Sequence, residues 1–268
     1  MNPFFYAMPF VQLHLFQLHY EEITVVNTRQ NSPVIVFLHE ALGSIPQWKD
    51  FPQLLCDDLQ LNGIVYERQG YGKSSELTAE RDASYLHKYA QEELPQFLAE
   101  RYPEDQQFIL VGHSDGGTIA LLYAATYPEK VKSVITMAAH VINEPETIAG
   151  IAPAVDAFEK GKLDKLYNYH GDKTKVLFYA WAKTWLADDF LNWNICEDIS
   201  SIQTPSLILQ GAQDQYGTSK QLELIKSNVK GNCDTILINE CGHHPHLEQK
   251  NHTISLIKHW YSGTSSQY

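Results

Sequence analysis

The chain has 268 residues, of which 44% are hydrophobic and 19% charged, with 15 Gly and 12 Pro. That length can hold one large α/β core, and the composition excludes a collagen-like, low-complexity or disordered chain. Twenty Lys and Arg against 32 Asp and Glu leave a formal net charge of −12. A field of that sign repels phosphate backbones and anionic lipid, so neither nucleic acid nor a membrane is expected as a partner. Cys56, Cys196, Cys233 and Cys241 form no CxxC pair, which suits neither a zinc ribbon nor a disulfide framework and points to a reducing, cytoplasmic setting. Met1 to Tyr20 is aromatic and apolar but has no basic leading segment, and no apolar run reaches 18 residues. Neither a signal peptide nor a membrane span is expected.

In chain order, Val11, Leu13 and Leu15, then Leu18 and Tyr20, alternate with polar residues and predict two strands at an antiparallel edge. Unbroken apolar runs follow at Val34 to Leu38, Ile64 to Tyr66, Phe108 to Val111, Val134 to Met137, Leu207 to Leu209 and Thr235 to Ile238, as in strands covered on both faces. Helical patterns lie between most of them, at Gln47 to Leu59, Ser84 to Arg101, Gly117 to Thr126, Thr218 to Ser227 and Leu247 to Trp260. Strand and helix therefore alternate, predicting an α/β fold: a mostly parallel central sheet with helices on both faces. From Glu144 to about Ser201 the alternation stops, leaving helical pattern and three of the five tryptophans. This predicts a helical lid, residues 144–201, inserted into a core formed by residues 1–143 and 202–268. Ser262 to Tyr268 reads as a frayed polar tail.

Gly112-His113-Ser114-Asp115-Gly116 fits G-x-S-x-G, a pattern that roughly one chain in ten of this length would carry by chance. Its context is more specific, because an apolar strand precedes it and an apolar helix follows. A serine on so sharp a turn needs small residues two positions before and after it, and Gly112 and Gly116 supply them. The same turn sets Ser114 at a helix N-terminus, where free N–H groups and the dipole can stabilise an oxyanion.

A serine nucleophile needs a general base, and the base needs an orienting carboxylate. Asp214 follows the strand at Leu207 to Leu209, and His243 follows the strand at Thr235 to Ile238. The order Ser114, Asp214, His243 is that of sheet hydrolases rather than of chymotrypsin-like or subtilisin-like enzymes. His244 and His246 compete for the base role, and Glu144 is the fallback acid. The histidine cluster at 243, 244 and 246 could also bind a metal, but no carboxylate-rich motif accompanies it, and a catalytic histidine explains the loop with fewer assumptions. No metal and no cofactor are expected. Gly70-Tyr-Gly-Lys-Ser is not a phosphate loop, because Glu67 stands where a Walker A glycine is required.

Five segments together resemble the α/β-hydrolase superfamily: Leu38-His39-Glu40-Ala41-Leu42-Gly43-Ser44 its oxyanion loop, Arg68 to Ser74 its Arg-x-Gly-x-Gly-x-Ser turn, Gly112 to Gly117 its elbow, then Gly211 to Asp214, and Gly242-His243. The resemblance spans nearly the whole chain except the lid. It implies Ser114 as nucleophile, Asp214 as acid, His243 as base, and the N–H groups of Ala41 and Asp115 as the oxyanion hole. Glu40 departs from the usual His-Gly start, and a carboxylate there opposes a forming oxyanion unless it points away, is protonated or pairs with a cation. Asp115 also departs from the common Met or Gln.

Nine large aromatic residues crowd the predicted lid: Phe158, Tyr167, Tyr169, Phe178, Tyr179, Trp181, Trp185, Phe190 and Trp193. About half are expected to face the pocket, with Trp181 and Trp185 on one helix face. Glu40, Asp115, Trp181 and Trp185 are the expected substrate contacts. The expected activity is a serine hydrolase acting on a small-molecule carboxylic ester, or a thioester or activated amide, through an acyl-enzyme. The alternatives are a carbon–carbon bond hydrolase of diketone ring-fission products and a non-catalytic ligand receptor. Resemblance of the Ser-Asp-Gly-Gly elbow to hydrolases of amino-acid esters adds the expectation that the site favours amino-bearing over anionic substrates.

Overall fold

The computed structural model describes residues 9–26 and 28–265. Eight strands make one sheet: β1 (Phe10–Gln12), β2 (Gln17–Ile23), β3 (Val34–Leu38), β4 (Gly63–Tyr66), β5 (Phe108–His113), β6 (Val131–Met137), β7 (Ser206–Gly211) and β8 (Cys233–Ile238), in the order β1-β2-β4-β3-β5-β6-β7-β8. β1 and β2 pair antiparallel, β2 joins β4 antiparallel, and all later pairings are parallel. The chain therefore leaves β3, β5, β7 and β8 at one edge of the sheet, which is where α/β sheets build their sites.

Among the described residues ten α-helices accompany the sheet: α1 (Phe51–Leu59), α2 (Tyr85–Lys88), α3 (Leu94–Arg101), α4 (Asp115–Thr126), α5 (Pro145–Glu159), α6 (Tyr167–His170), α7 (Thr174–Leu186), α8 (Ser219–Asn228), α9 (Pro245–Glu248) and α10 (Lys250–Ser265). They bury two separate cores. One joins Ile35, Phe37, Val111, Ile135 and Leu209 of the sheet to Phe51 and Leu55 of α1 and Ile254 and Ile257 of α10. The other joins Val36, Leu110 and Val134 to Leu94, Phe97, α4, Leu222 and Ile225. Alternate strand residues feed opposite cores, as the two-residue strand period requires. α4 is buried along nearly its whole length, which fits its run of Ile, Leu and Ala.

Several predicted elements differ in detail. Leu15 is 78% exposed in the hairpin turn rather than in a strand. The helix expected from Gln47 is a 3₁₀ turn, Ile45–Trp48, that Lys49 breaks at φ 56° before α1 begins. The span from Ser84 to Arg101 contains a π-turn, Tyr89–Glu93, followed by Pro95 in the first turn of α3. The wider turn accommodates a proline that lacks the N–H of a regular helix. β8 is an edge strand with exposed Leu237 rather than one covered on both faces. A break at Gln249 separates α9 from α10. α10 continues through Ser262 to Ser265, so that part of the expected tail is helical, and residues 266–268 lie outside the described residues.

Between β6 and β7 the chain holds α5, α6, α7 and short 3₁₀ turns. No strand is named there, although an isolated bridge joins Ile142 to Asn194. No helix among the described residues is long and apolar enough to cross a membrane. The four cysteines are unpaired.

Candidate active site

Ser114 stands between β5 and α4 at φ 53°, ψ −120°. For a residue with a Cβ this backbone is strained by about 1 to 3 kcal/mol. The neighbouring glycines make the turn feasible. A Cβ on Gly112 would lie 2.2 Å from the Gly116 carbonyl oxygen, and one on Gly116 would lie 1.9 Å from the Leu38 oxygen. The Ser114 N–H donates to Met137 O at 2.9 Å, which ties the turn to β6.

The loops after β7 and β8 bring Asp214 and His243 together. His243 Nδ1–H donates to Asp214, with both carboxylate oxygens at 2.9 Å. Both side chains are almost wholly buried. Gln210 Nε2 donates to Asp214 Oδ2 at 2.6 Å, and the Tyr216 N–H donates to Oδ1 at 2.8 Å. Burial alone would raise the Asp214 carboxyl, but the bonds from His243 and Tyr216 outweigh it and hold it below its ordinary range. The carboxylate therefore stays ionised and fixes the proton on Nδ1, leaving Nε2 as the acceptor. Ser114 and His243 line one cavity of about 260 Å³.

Glu144 does not compete for His243. Its carboxylate takes hydrogen bonds from Thr218 and Gln221, joining the start of α5 to that of α8. His246 packs against Trp48, with ring centroids 4.8 Å apart. His244 turns toward Glu40, its Nε2 3.3 Å from Oε2.

That contact gives the Glu40 carboxylate, in the loop after β3, a basic partner. Burial would raise the Glu40 carboxyl, yet the His244 hydrogen bond and the nearby His113 and His244 rings hold it well below the ordinary range. The same pairing raises His244 against the opposing effect of burial. The Glu40 main chain is held separately. Arg68, fully buried, donates to the carbonyls of His39 and Glu40, and His39 Nδ1–H donates to Glu40 O at 2.8 Å. In a trans peptide the N–H points opposite to the carbonyl, so these bonds also set the direction of the Ala41 N–H. Neither that N–H nor the Asp115 N–H has a hydrogen-bond acceptor among the described residues. Arg68 belongs to a turn that the sequence gives no reason to read as more than packing beneath the site. Once buried, its guanidinium needs acceptors for its donors, and the two loop carbonyls supply them.

Asp115 is 3% exposed, and its Oδ2 accepts from Tyr85 OH at 2.7 Å. Trp185 Nε1–H in turn donates to the Tyr85 oxygen at 2.8 Å, linking the inserted helices to the elbow. Burial raises the Asp115 carboxyl, while Arg68, Tyr85 and Arg81 oppose that rise. Glu40, Ala41, Ser114, Asp115, Trp181 and Trp185 all line the cavity, together with His140 and Tyr216, which the sequence did not single out. Of the nine inserted aromatics only Trp181 and Trp185 do so, fewer than the half expected. Phe158 stacks on Phe178 at 4.0 Å and Phe190 on Trp193 at 5.0 Å, so rings from separate turns bury one another.

Residues 33–174 match the model of the alpha/beta hydrolase fold family, more than half of the chain. The chain belongs to the alpha/beta hydrolase family. It is 27% identical to the human serine hydrolase BPHL over 228 residues, covering 80% of this chain and 73% of that protein. It is 30% identical over 151 residues to the biotin biosynthesis bifunctional protein BioHC of Teredinibacter turnerae, covering 54% of this chain but only 25% of that protein's length. Among solved structures, a membrane phospholipase A described as a bacterial virulence factor superposes with a TM-score of 0.76 at 22% identity, over 95% of this chain and 85% of the other. At that identity the likeness concerns the fold alone.

Proposed function

We propose that this hydrolase-family member is a serine hydrolase that cleaves a small carboxylic ester through an acyl-enzyme. The observation that carries the reading is the buried Asp214–His243 pair opening on the same cavity as the strained Ser114. In the proposed reaction Ser114 Oγ attacks the acyl carbonyl while His243 Nε2 takes its proton. The carbonyl oxygen becomes an oxyanion facing the N–H groups of Ala41 and Asp115. The tetrahedral intermediate expels the alcohol, which receives the proton from His243. Water, activated by His243 in the same way, then releases the acid and restores Ser114. We take residues 144–201 as a lid whose Trp181 and Trp185 contact the substrate.

A cavity of about 260 Å³ suits a small ester. Two carboxylates line it, Glu40 and Asp115, but each has a basic group nearby: the His244 imidazole for the first, Arg68 and Arg81 for the second. The site is therefore less anionic than the sequence implies. We propose that preference for amino-bearing esters persists in weakened form. We propose a cytoplasmic location, the reading that four cysteines scattered without a CxxC pair favour.

The test is turnover of short esters, thioesters and diketones by wild type and Ser114→Ala. Ester hydrolysis lost in the variant supports the reading. Hydrolysis of diketones in preference to esters replaces it with carbon–carbon bond cleavage, and an unchanged Ser114→Ala removes the mechanism.

A further inference from the structure

His113 and His244, whose ring centroids lie 5.0 Å apart, both approach the Glu40 carboxylate. Glu40 Oε2 lies 3.3 Å from His244 Nε2 and 3.8 Å from His113 Nδ1, and the three donor atoms all lie within 4.8 Å of one another. We infer that Glu40, His113 and His244 form a three-ligand site for a divalent transition-metal ion, with Zn²⁺ the ion its donors favour. The inference stands on these side chains and not on the hydrolase reading.

The hydrogen-bond pattern around His113 is the first argument. Its Nε2–H donates to the His243 carbonyl at 2.7 Å. In the neutral ring Nδ1 then carries a lone pair, and that lone pair faces a carboxylate oxygen at 3.8 Å. Two acceptors facing each other without a proton between them repel, and a cation bound by both removes that repulsion.

His244 has a similar arrangement. Its Nδ1 lies 3.8 Å from Glu248 Oε1, and the same oxygen accepts the His244 backbone N–H at 3.0 Å. A carboxylate behind the far nitrogen of a ligating imidazole is the usual outer support of a histidine metal site, and it leaves Nε2 for the ion. Glu40 has room to serve as third ligand because position 43 is glycine. A Cβ there would lie 2.9 Å from Glu40 Cγ.

Donor chemistry selects the ion. Two imidazoles and one carboxylate form a set used by zinc with a fourth position left open, whereas Mg²⁺ and Ca²⁺ prefer oxygen alone. In a tetrahedral zinc site the ligand atoms sit about 3.3 Å apart. Glu40 and His244 already have that spacing. The remaining closure, from 3.8 Å between Glu40 and His113, falls to the partly exposed side chains of Glu40 and His244 moving together toward the buried His113. All three ligands also line a separate cavity of about 210 Å³, which gives the ion an entry path and a fourth position. His243 is excluded from the set by its bond to Asp214, and His246 by its packing on Trp48.

The test is calorimetric titration of the full chain with ZnCl₂, repeated with MgCl₂. The expected result is one Zn²⁺ per chain in the micromolar range or tighter and no Mg²⁺ binding at the same concentrations. Removing a ligand, in His244→Ala or Glu40→Gln, should weaken zinc by about 100-fold or more, and Glu248→Gln by about tenfold. Ser114→Ala should bind zinc as wild type does, which separates this result from any failure of the hydrolase reading. If a ligand variant does not fold, the visible spectrum of Co²⁺ bound to wild type replaces it, with bands of a four- or five-coordinate nitrogen and oxygen site expected. Zinc binding absent in wild type, equal affinity in the folded ligand variants, or a purely six-coordinate Co²⁺ spectrum would overturn the assignment.

Discussion

His243 and His244 are consecutive residues, and each faces a carboxylate, yet the two pairs are built differently. Asp214 is fully buried, takes hydrogen bonds from Gln210 and Tyr216 as well as from His243, and holds the imidazole by Nδ1. Glu40 meets His244 through the other nitrogen, Nε2, at 3.3 Å, with both side chains partly exposed. The first pair is preorganised by its surroundings and leaves Nε2 free for proton transfer. The second sets an imidazole against a carboxylate in the loop after β3, and by our inference it offers ligands to a metal. One residue of register along a loop therefore separates the proposed general base from a group with another task.

The largest expected effects break the first pair. Ser114→Ala and His243→Ala should each lower ester kcat by on the order of 10³-fold or more, and Asp214→Asn should fall comparably, because the three act as one proton-transfer unit. His244→Ala, which leaves that unit intact, should lose no more than about tenfold. Steady-state rates of the four purified variants measure the contrast. Equal losses in His243→Ala and His244→Ala would erase the distinction drawn here.

A smaller effect is expected from Arg68, whose fork holds the carbonyls of His39 and Glu40. Arg68→Lys cannot hold both carbonyls in the same way and should lower kcat by about 10- to 100-fold while leaving KM within a fewfold, since the affected N–H acts on the oxyanion rather than on bound ester. A loss confined to KM would show that Arg68 shapes substrate binding instead.

Glu93 gives a prediction in stability. It is buried beside Tyr66, and burial, only partly offset by the Gln69 N–H and by Arg68 and Arg81, pushes its carboxyl up to about 7. The folded protein thus holds this proton to higher pH than the unfolded chain does. The associated stability is fully present below the unfolded carboxylate range and is lost as pH rises toward 7. A shift of that size corresponds to about 3 kcal/mol. Urea unfolding at pH 5 and pH 8 should show Glu93→Gln gaining about 2 to 3 kcal/mol relative to wild type over that interval. Parallel pH profiles for the two proteins would show that the Glu93 proton is not linked to folding.

The smallest effect concerns substrate charge. With Glu40 and Asp115 each close to a basic group, kcat/KM for matched amino-bearing and carboxylate-bearing esters should differ by about tenfold or less in favour of the former, and Asp115→Asn should narrow the gap. Preference for the carboxylate-bearing ester would mean that Arg68 or Arg81 dominates the pocket.

The sheet and the elbow were legible in the sequence because they depend on local pattern. Val34 to Leu38 and Phe108 to Val111 are apolar without interruption because both faces are covered, and Gly112 and Gly116 are dictated by backbone contacts of 2.2 and 1.9 Å. Asp214 and His243 were legible because parallel strands deliver their following loops to one edge. The pairing of Glu40 with His244 and His113 was not, since it depends on where side chains point in two loops and at the end of β5, far apart in sequence. The same holds for the aromatics between residues 144 and 201. Composition counts rings but cannot show that Phe158 stacks on Phe178 rather than on a substrate.

The central claim is that Ser114 is a nucleophile activated by the His243–Asp214 pair. Intact-mass analysis after exposure to a fluorophosphonate, followed by peptide mapping, tests it most directly. The account predicts one phosphonyl adduct per chain, located on Ser114, with labelling slowed by on the order of 10³-fold in His243→Ala. A chain that stays unlabelled, or that carries its adduct at another residue, would contradict it.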